Sequence, residues 1–221
     1  WPGGQVFPCC VATSEPIGDM NENTLEEIFN GEKIKTFRKQ MVDGQQPAAC
    51  YKCFQQESQG IISYRQTNNS KHHHHEHLID KAIKNNYEVE DFNLYYWDFR
   101  TSNLCNMSCR TCGLHVSSKW HEDHKKIYGE TSFTKQANKK GVIQFDDSQL
   151  AQVKSIIDKD INEVEHAYFA GGEPLINDMH YYILEKLIKA KRFDCQISYN
   201  TNLSTLHYKN YDLLEMWSNW S

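Results

Sequence analysis

The chain has 221 residues, enough for one large domain or two modest ones and for a substantial apolar core. Its 24 basic and 29 acidic residues leave a net charge of -5, so no global field favours nucleic acid as a partner. No stretch reaches the apolar length needed to cross a bilayer and no signal peptide is visible, so no membrane partner is expected. Eight cysteines could form a disulfide framework, but they fall in tight groups: Cys9 with Cys10, Cys50 with Cys53, and Cys105 with Cys109 and Cys112, leaving Cys195 alone. Such grouping reads as metal ligation in a reducing, cytoplasmic compartment. The chain begins at Trp1 and stops at Ser221 inside a polar-aromatic run, which reads as a fragment.

Residues 1–70 are expected to form a first, cysteine-rich α+β module. Val6-Phe7-Pro8-Cys9-Cys10 reads as a short strand entering a turn, and Thr24-Leu25-Glu26-Glu27 matches a capping box. Leu25, Ile28 and Phe29, then Ile34, Phe37 and Met41, predict two short amphipathic helices separated near Gly31. Gly44 and Pro47 close that segment, and Cys50-Tyr51-Lys52-Cys53 follows as a metal-binding hairpin. With the upstream pair Cys9 and Cys10 this makes four thiols, a set that fits zinc and iron-sulfur alike. Residues 71–92 read as a connector, with the tract His72 to His75 as a solvated helix start or loop.

From residue 93 the pattern changes to strand and helix in alternation. Tyr95, Trp97 and Phe99 alternate with Tyr96, Asp98 and Arg100 in a strand leading to Ser102-Asn103-Leu104-Cys105-Asn106-Met107-Ser108-Cys109-Arg110-Thr111-Cys112-Gly113. Offsets of four and three would also align cysteines on one helix face as small core residues. Asn103, Asn106, Ser108 and Gly113 are poor helix formers, however, and no apolar stripe continues the pattern. Three thiolates suit a four-iron centre with one open iron better than a structural zinc, which takes four closed ligands. Trp120, His121 and His124 are expected on a short helix, followed by a loose loop after Gly129. Leu150, Val153, Ile156, Ile157 and Ile161 predict a helix capped by Asp146, Asp147 or Ser148.

A second apolar strand, His166 to Phe169, then runs into Gly171-Gly172-Glu173-Pro174, whose glycines let backbone approach a ligand closely. Pro174 is expected to open a helix with Ile176, Met179, Ile183, Leu187 and Ile188 facing the core. A third strand, Gln196 to Tyr199, ends in Asn200-Thr201-Asn202, which reads as a capped turn or as ligand-facing polar groups. Leu213, Leu214 and Trp217 predict a further helix, and Cys195 reads as a buried free thiol.

The Cys-x3-Cys-x2-Cys spacing followed one helix and one strand later by Gly171-Gly172-Glu173-Pro174 closely resembles the radical SAM superfamily. The first module, with its Pro-Cys-Cys, its Leu-Glu-Glu-Ile-Phe-Asn helix, Phe37-Arg38 and Cys50-x2-Cys53, is similar to the SPASM and twitch auxiliary-cluster modules of that superfamily. Such modules usually follow the catalytic barrel, and here the order is reversed. The resemblance implies an α/β fold over residues 93–221, a partial radical SAM barrel with about three of its βα units. It implies that Cys105, Cys109 and Cys112 hold a [4Fe-4S] cluster and that Gly171, Gly172, Glu173 and Pro174 hold the methionine amino group of S-adenosylmethionine. Asn200, Thr201 and Asn202 would face that pocket or the substrate. Cys9, Cys10, Cys50 and Cys53 would hold an auxiliary iron-sulfur cluster. Thr111 stands where many members carry an aromatic residue beside the adenine.

The implied activity is reductive cleavage of S-adenosylmethionine to a 5′-deoxyadenosyl radical that abstracts hydrogen from a substrate. The implied partners are an electron donor such as flavodoxin or ferredoxin and a peptide or small-molecule substrate. Two alternatives stand beside it: a non-catalytic zinc- or iron-sulfur-binding structural protein, and a truncated radical SAM domain that binds a cluster without turnover.

Overall fold

The computed structural model describes residues 1–12 and 15–220. They divide into two compact units, one of Gln5–Phe92 and one of Trp1–Gly4 together with Asn93–Ser221.

In the first of these, β1 (Gln5–Val6) pairs antiparallel with β2 (Gly18–Asp19). A Cβ at Gly18 would lie 2.6 Å from Ile28, so the glycine lets the hairpin seat on α1 (Leu25–Phe29). Thr24 and Glu27 form the capping box that their spacing predicts. Gly31 then separates α1 from α2 (Glu32–Val42). The expected hairpin at Cys50 and Cys53 is helical instead: a 3-10 turn, Ala48–Cys50, runs into α3 (Tyr51–Ser58). Pro47 sets the entry of that turn, and Gln55-Gln56-Glu57 are good helix formers that carry it forward.

Ser63 and Gln66 box the start of α4 (Tyr64–Lys71), and the segment expected to be a connector carries a 3-10 turn, His73–His75, and α5 (His77–Lys84). The chain then returns to the start of the unit. Asn30 bonds Val89 in both directions, 2.9 and 2.8 Å, while Arg38 donates to the carbonyls of Tyr87 and Phe29 at 2.8 and 2.7 Å. Phe92 packs on Phe29 with ring centroids 5.0 Å apart.

The second unit is built on a parallel sheet of order β3-β4-β5, with β3 at Tyr96–Trp97, β4 at His166–Phe169 and β5 at Gln196–Tyr199. Tyr96 pairs with His166, and His166 with Gln196. The strand expected over 95–100 is shorter than its alternation implies, because Asp98 and Arg100 turn to each other in a two-pronged ion pair at 2.9 Å. Trp1 lies on that guanidinium, 4.3 Å from its ring centre, and meets His115 edge-on at 5.4 Å.

Ahead of the crossover, α6 (His121–Tyr128) ends at Gly129 in a left-handed conformation. The loose loop expected there holds another helix, α7 (Ser132–Gln136), set by a Thr131/Thr134 capping box that carries no charge signal. The crossover helix α8 (Asp147–Asp160) is capped by Asp146 and boxed by Gln149. After β4, Pro174 opens only a 3-10 turn, Pro174–Ile176, and Asn177 caps the helix proper, α9 (Asp178–Lys189). Trp97, Val153, Ile157, Ala167, Leu175, Leu184 and Leu187 are all buried and form the core between sheet and helices.

A hairpin of β6 (His207–Tyr208) and β7 (Tyr211–Asp212) precedes α10 (Leu213–Trp217), whose first turn Asp212 caps. The fold is thus mixed α/β, with a three-stranded parallel sheet and no closed barrel among the described residues.

Candidate metal centre

Three loops leave the C-terminal ends of β3, β4 and β5, the end at which parallel α/β sheets collect their chemistry. The loop after β3 carries Cys105, Cys109 and Cys112, all free thiols, the second exposed and the others half-buried. Its entry is fixed by Asn103, which is fully buried. The Asn103 side chain donates to the carbonyls of Leu114 and Gly141 at 2.9 and 3.3 Å and accepts from the Ile143 amide at 2.8 Å. Its backbone amide donates to the Ile143 carbonyl at 3.0 Å. A buried amide satisfied this fully is a rigid fastener.

Further along, the Cys105 amide donates to Ser118 Oγ at 3.2 Å, Ser117 Oγ donates to the Met107 carbonyl at 2.6 Å, and Trp120 Nε1 donates to the Cys109 carbonyl at 3.1 Å. The Cys112 amide also donates to the Cys109 carbonyl, at 3.0 Å. These bonds occupy backbone groups and leave the three sulfurs as what the loop offers a ligand. That donor set, soft and three in number on a pinned loop, fits a four-iron cluster with one open position.

The loop after β4 docks on this one. The amides of Gly172 and Glu173 donate to the carbonyls of Ser102 and Leu104 at 3.0 and 2.8 Å. A Cβ at Gly172 would sit 2.0 Å from the Leu104 carbonyl oxygen, so only glycine permits the approach. Gly171 has φ +116, a conformation that L side chains rarely adopt.

Glu173 is buried, and its carboxylate accepts from the Leu175 amide at 3.1 Å, the Thr201 hydroxyl and the Asn202 amide at 2.8 Å. The loop after β5 is therefore held by Glu173 on one side. On the other, Asn202 donates to Asn106 Oδ1 at 2.8 Å and Asn106 donates to Ser204 Oγ at 2.6 Å. Pro174 is buried behind Glu173, and Asn200 takes part through its backbone, donating to the Phe169 carbonyl at 2.9 Å. Beside this assembly lies a cavity of about 430 Å³, lined among others by Ser102, Leu104, Phe145, Lys154, Asp178 and Tyr182.

Asn103, Ser117, Ser118 and Trp120 stand out only in the structure. Their one sequence signal is position: they flank the cysteines as small polar residues and a single indole. Beneath the site, His180 is 3 % exposed on α9, with Tyr199 OH 3.0 Å from Nε2 and Phe169 edge-on at 4.7 Å. Burial pushes its pKa down to about 3, so it is neutral. Cys195 is buried and free, as expected, and burial raises its thiol to about 11.

In the first unit, Cys9 and Cys10 lie in the turn after β1, Cys50 ends the 3-10 turn, and Cys53 is buried on α3. Burial raises the Cys9 thiol, and the neighbouring sulfurs of Cys10 and Cys53 add to that rise. Cys50 is raised by burial first, then by Cys9 and Cys53. Cys9 thus lies near Cys10 and Cys53, and Cys50 near Cys9 and Cys53. Four soft thiol donors within one unit are a set whose chemistry also fits an iron-sulfur group.

No curated protein and no solved structure was found to match the chain. Residues 2–54 match the SPASM family, an iron-sulfur cluster-binding domain that occurs in radical SAM proteins.

Proposed function

We propose that this chain is part of a radical SAM enzyme, with Cys105, Cys109 and Cys112 as ligands of a [4Fe-4S] cluster and Cys9, Cys10, Cys50 and Cys53 as ligands of an auxiliary cluster. The observation that carries the reading is the mutual fastening of the three strand-end loops through Leu104, Gly172, Glu173, Asn106 and Asn202. A cysteine loop that merely stapled a small fold would have no need of a Gly-Gly turn pressed against its first residues. The SPASM match supports the enzyme class independently, from the other end of the chain.

Bound at these sites, an iron-sulfur cluster and S-adenosylmethionine would supply one-electron cleavage of the sulfonium and a 5′-deoxyadenosyl radical for hydrogen abstraction. The chain's own residues do the positioning. Asn103, Ser117, Ser118 and Trp120 hold the cysteine backbone. Gly172 lets the second loop close on the first, and Glu173 presents a buried carboxylate, the group suited to an ammonium ligand. Thr201 and Asn202 orient that carboxylate. An electron donor such as flavodoxin or ferredoxin, and a peptide or small-molecule substrate, complete the proposal.

The test is electron paramagnetic resonance on anaerobically reconstituted, reduced protein with and without S-adenosylmethionine. A four-iron signal that changes shape on adding S-adenosylmethionine is the expected result, together with its loss in Cys109→Ala. A cluster indifferent to S-adenosylmethionine points to a domain that holds iron without turnover. Stoichiometric zinc and no iron signal would replace the reading with a structural zinc protein.

A further inference from the structure

The histidine tract takes no part in either cysteine site, yet the fold gathers it into a cluster. His72 caps the end of α4, donating its amide to the Asn68 carbonyl at 2.9 Å, and the next three histidines wind into a 3-10 turn. Three imidazoles then face one another. Ring centroids lie 6.2 Å apart for His72 and His74, 6.5 Å for His72 and His75, and 4.2 Å for His74 and His75. Imidazoles bound to one tetrahedral ion at the usual metal-nitrogen length have centroids about 5 Å apart. The observed triangle brackets that value; the ligating nitrogens of His72 and His74 already lie within 4.8 Å of one another, and His75 joins them by turning its ring.

The two outer histidines hold the turn in shape. His73 Nδ1 lies 3.1 Å from the Ser70 carbonyl and His77 Nδ1 lies 3.1 Å from the His74 carbonyl. In the tautomer that donates through Nδ1, each fastens a carbonyl at the α4–α5 corner, the kind of outer bond that fixes a metal-binding turn.

We propose that His72, His74 and His75 bind a borderline divalent cation (Zn²⁺, Ni²⁺ or Cu²⁺) through nitrogen alone, separately from both cysteine sites. The ligand set decides the class: neutral imidazole suits these ions, whereas the thiolates elsewhere in the chain suit iron-sulfur clusters. One ion across the tract ties the end of α4 to the start of α5, so its occupancy stiffens that corner.

The experiment uses the full chain with its cysteine sites filled anaerobically with iron and sulfide, titrated with Ni²⁺ alone. One equivalent is expected, with only nitrogen and oxygen in the metal's first shell by X-ray absorption. The double variant His74→Ala/His75→Ala should weaken Ni²⁺ binding by about tenfold or more, while Lys71→Ala, next to the tract, should not. Unchanged affinity in the double variant, or sulfur in the shell of the parent protein, would overturn the assignment. The absorption measurement needs no variant and so reads the site whatever the substitutions do to folding.

Discussion

His180 shows how a single buried group sets a response of the whole fold. Its pKa is near 3 in the folded chain because burial disfavours the charged ring, against 6.5 for the ordinary side chain. Between those values the unfolded chain binds a proton that the folded chain does not, so stability falls as pH drops through that window. The group alone should cost about 2 kcal/mol on going from about pH 7 to about pH 5. His180→Gln keeps a polar contact for Tyr199 and removes the proton. Urea midpoints at the two pH values should differ less in that variant than in the parent by about this amount, and equal pH dependence would refute the assignment. No pattern in the sequence marks His180, because a histidine between Met179 and Tyr181 on an apolar helix face reads simply as part of the core.

At the scale of elements, the site is a docking of loops, and Gly172 is where it is tightest. The atoms that a side chain would strike there belong to the Leu104 and Asn103 backbone, which cannot swing aside as a flexible side chain could. Gly172→Ala should therefore displace the cysteine loop, lowering reconstituted iron content at Cys105, Cys109 and Cys112 and the unfolding midpoint together, by about 1–3 kcal/mol in stability. Iron retention equal to the parent would show that the contact is dispensable.

Much of this layer was legible in advance. The helices at Leu25, Glu32 and Asp147 follow from capping residues and apolar spacing, and the strands at His166 and Gln196 from short apolar runs that end in turn residues. What escaped were structures with weak local signals. The helix at Ser132 rests on a threonine capping box, the Cys50–Cys53 segment folds as helix because of its neighbours, and the segment 141–145 braces Asn103 through bonds between residues about forty positions apart. The cysteines announce a site, but the polar residues that fix it are visible only once the chain has brought them together.

Across the whole molecule, the two units differ in how much apolar core they possess. Among the described residues of Gln5–Phe92 the buried apolar side chains are Met20, Ile28, Ile34, Pro47, Ala49, Cys53 and Phe92, whereas the sheet unit buries large side chains on every layer, from Trp97 to Leu213. A unit with so slight a core gains from a staple, and a thiolate-bound group would supply one. Removing iron from the loaded protein with a chelator should accelerate amide exchange throughout Gln5–Phe92 and leave β4, α8 and α9 protected. Equal protection before and after chelation would mean that the first unit stands without its metal. The sheet carries a different debt. Its order leaves β3 and β5 as outer strands, and no strand pairs with the far side of β5 among the described residues. Trp220 donates its indole N–H to the Cys195 carbonyl at 3.0 Å, one residue ahead of β5. An outer strand is an invitation to pairing, and a second copy of the same chain is one strand source that could accept it.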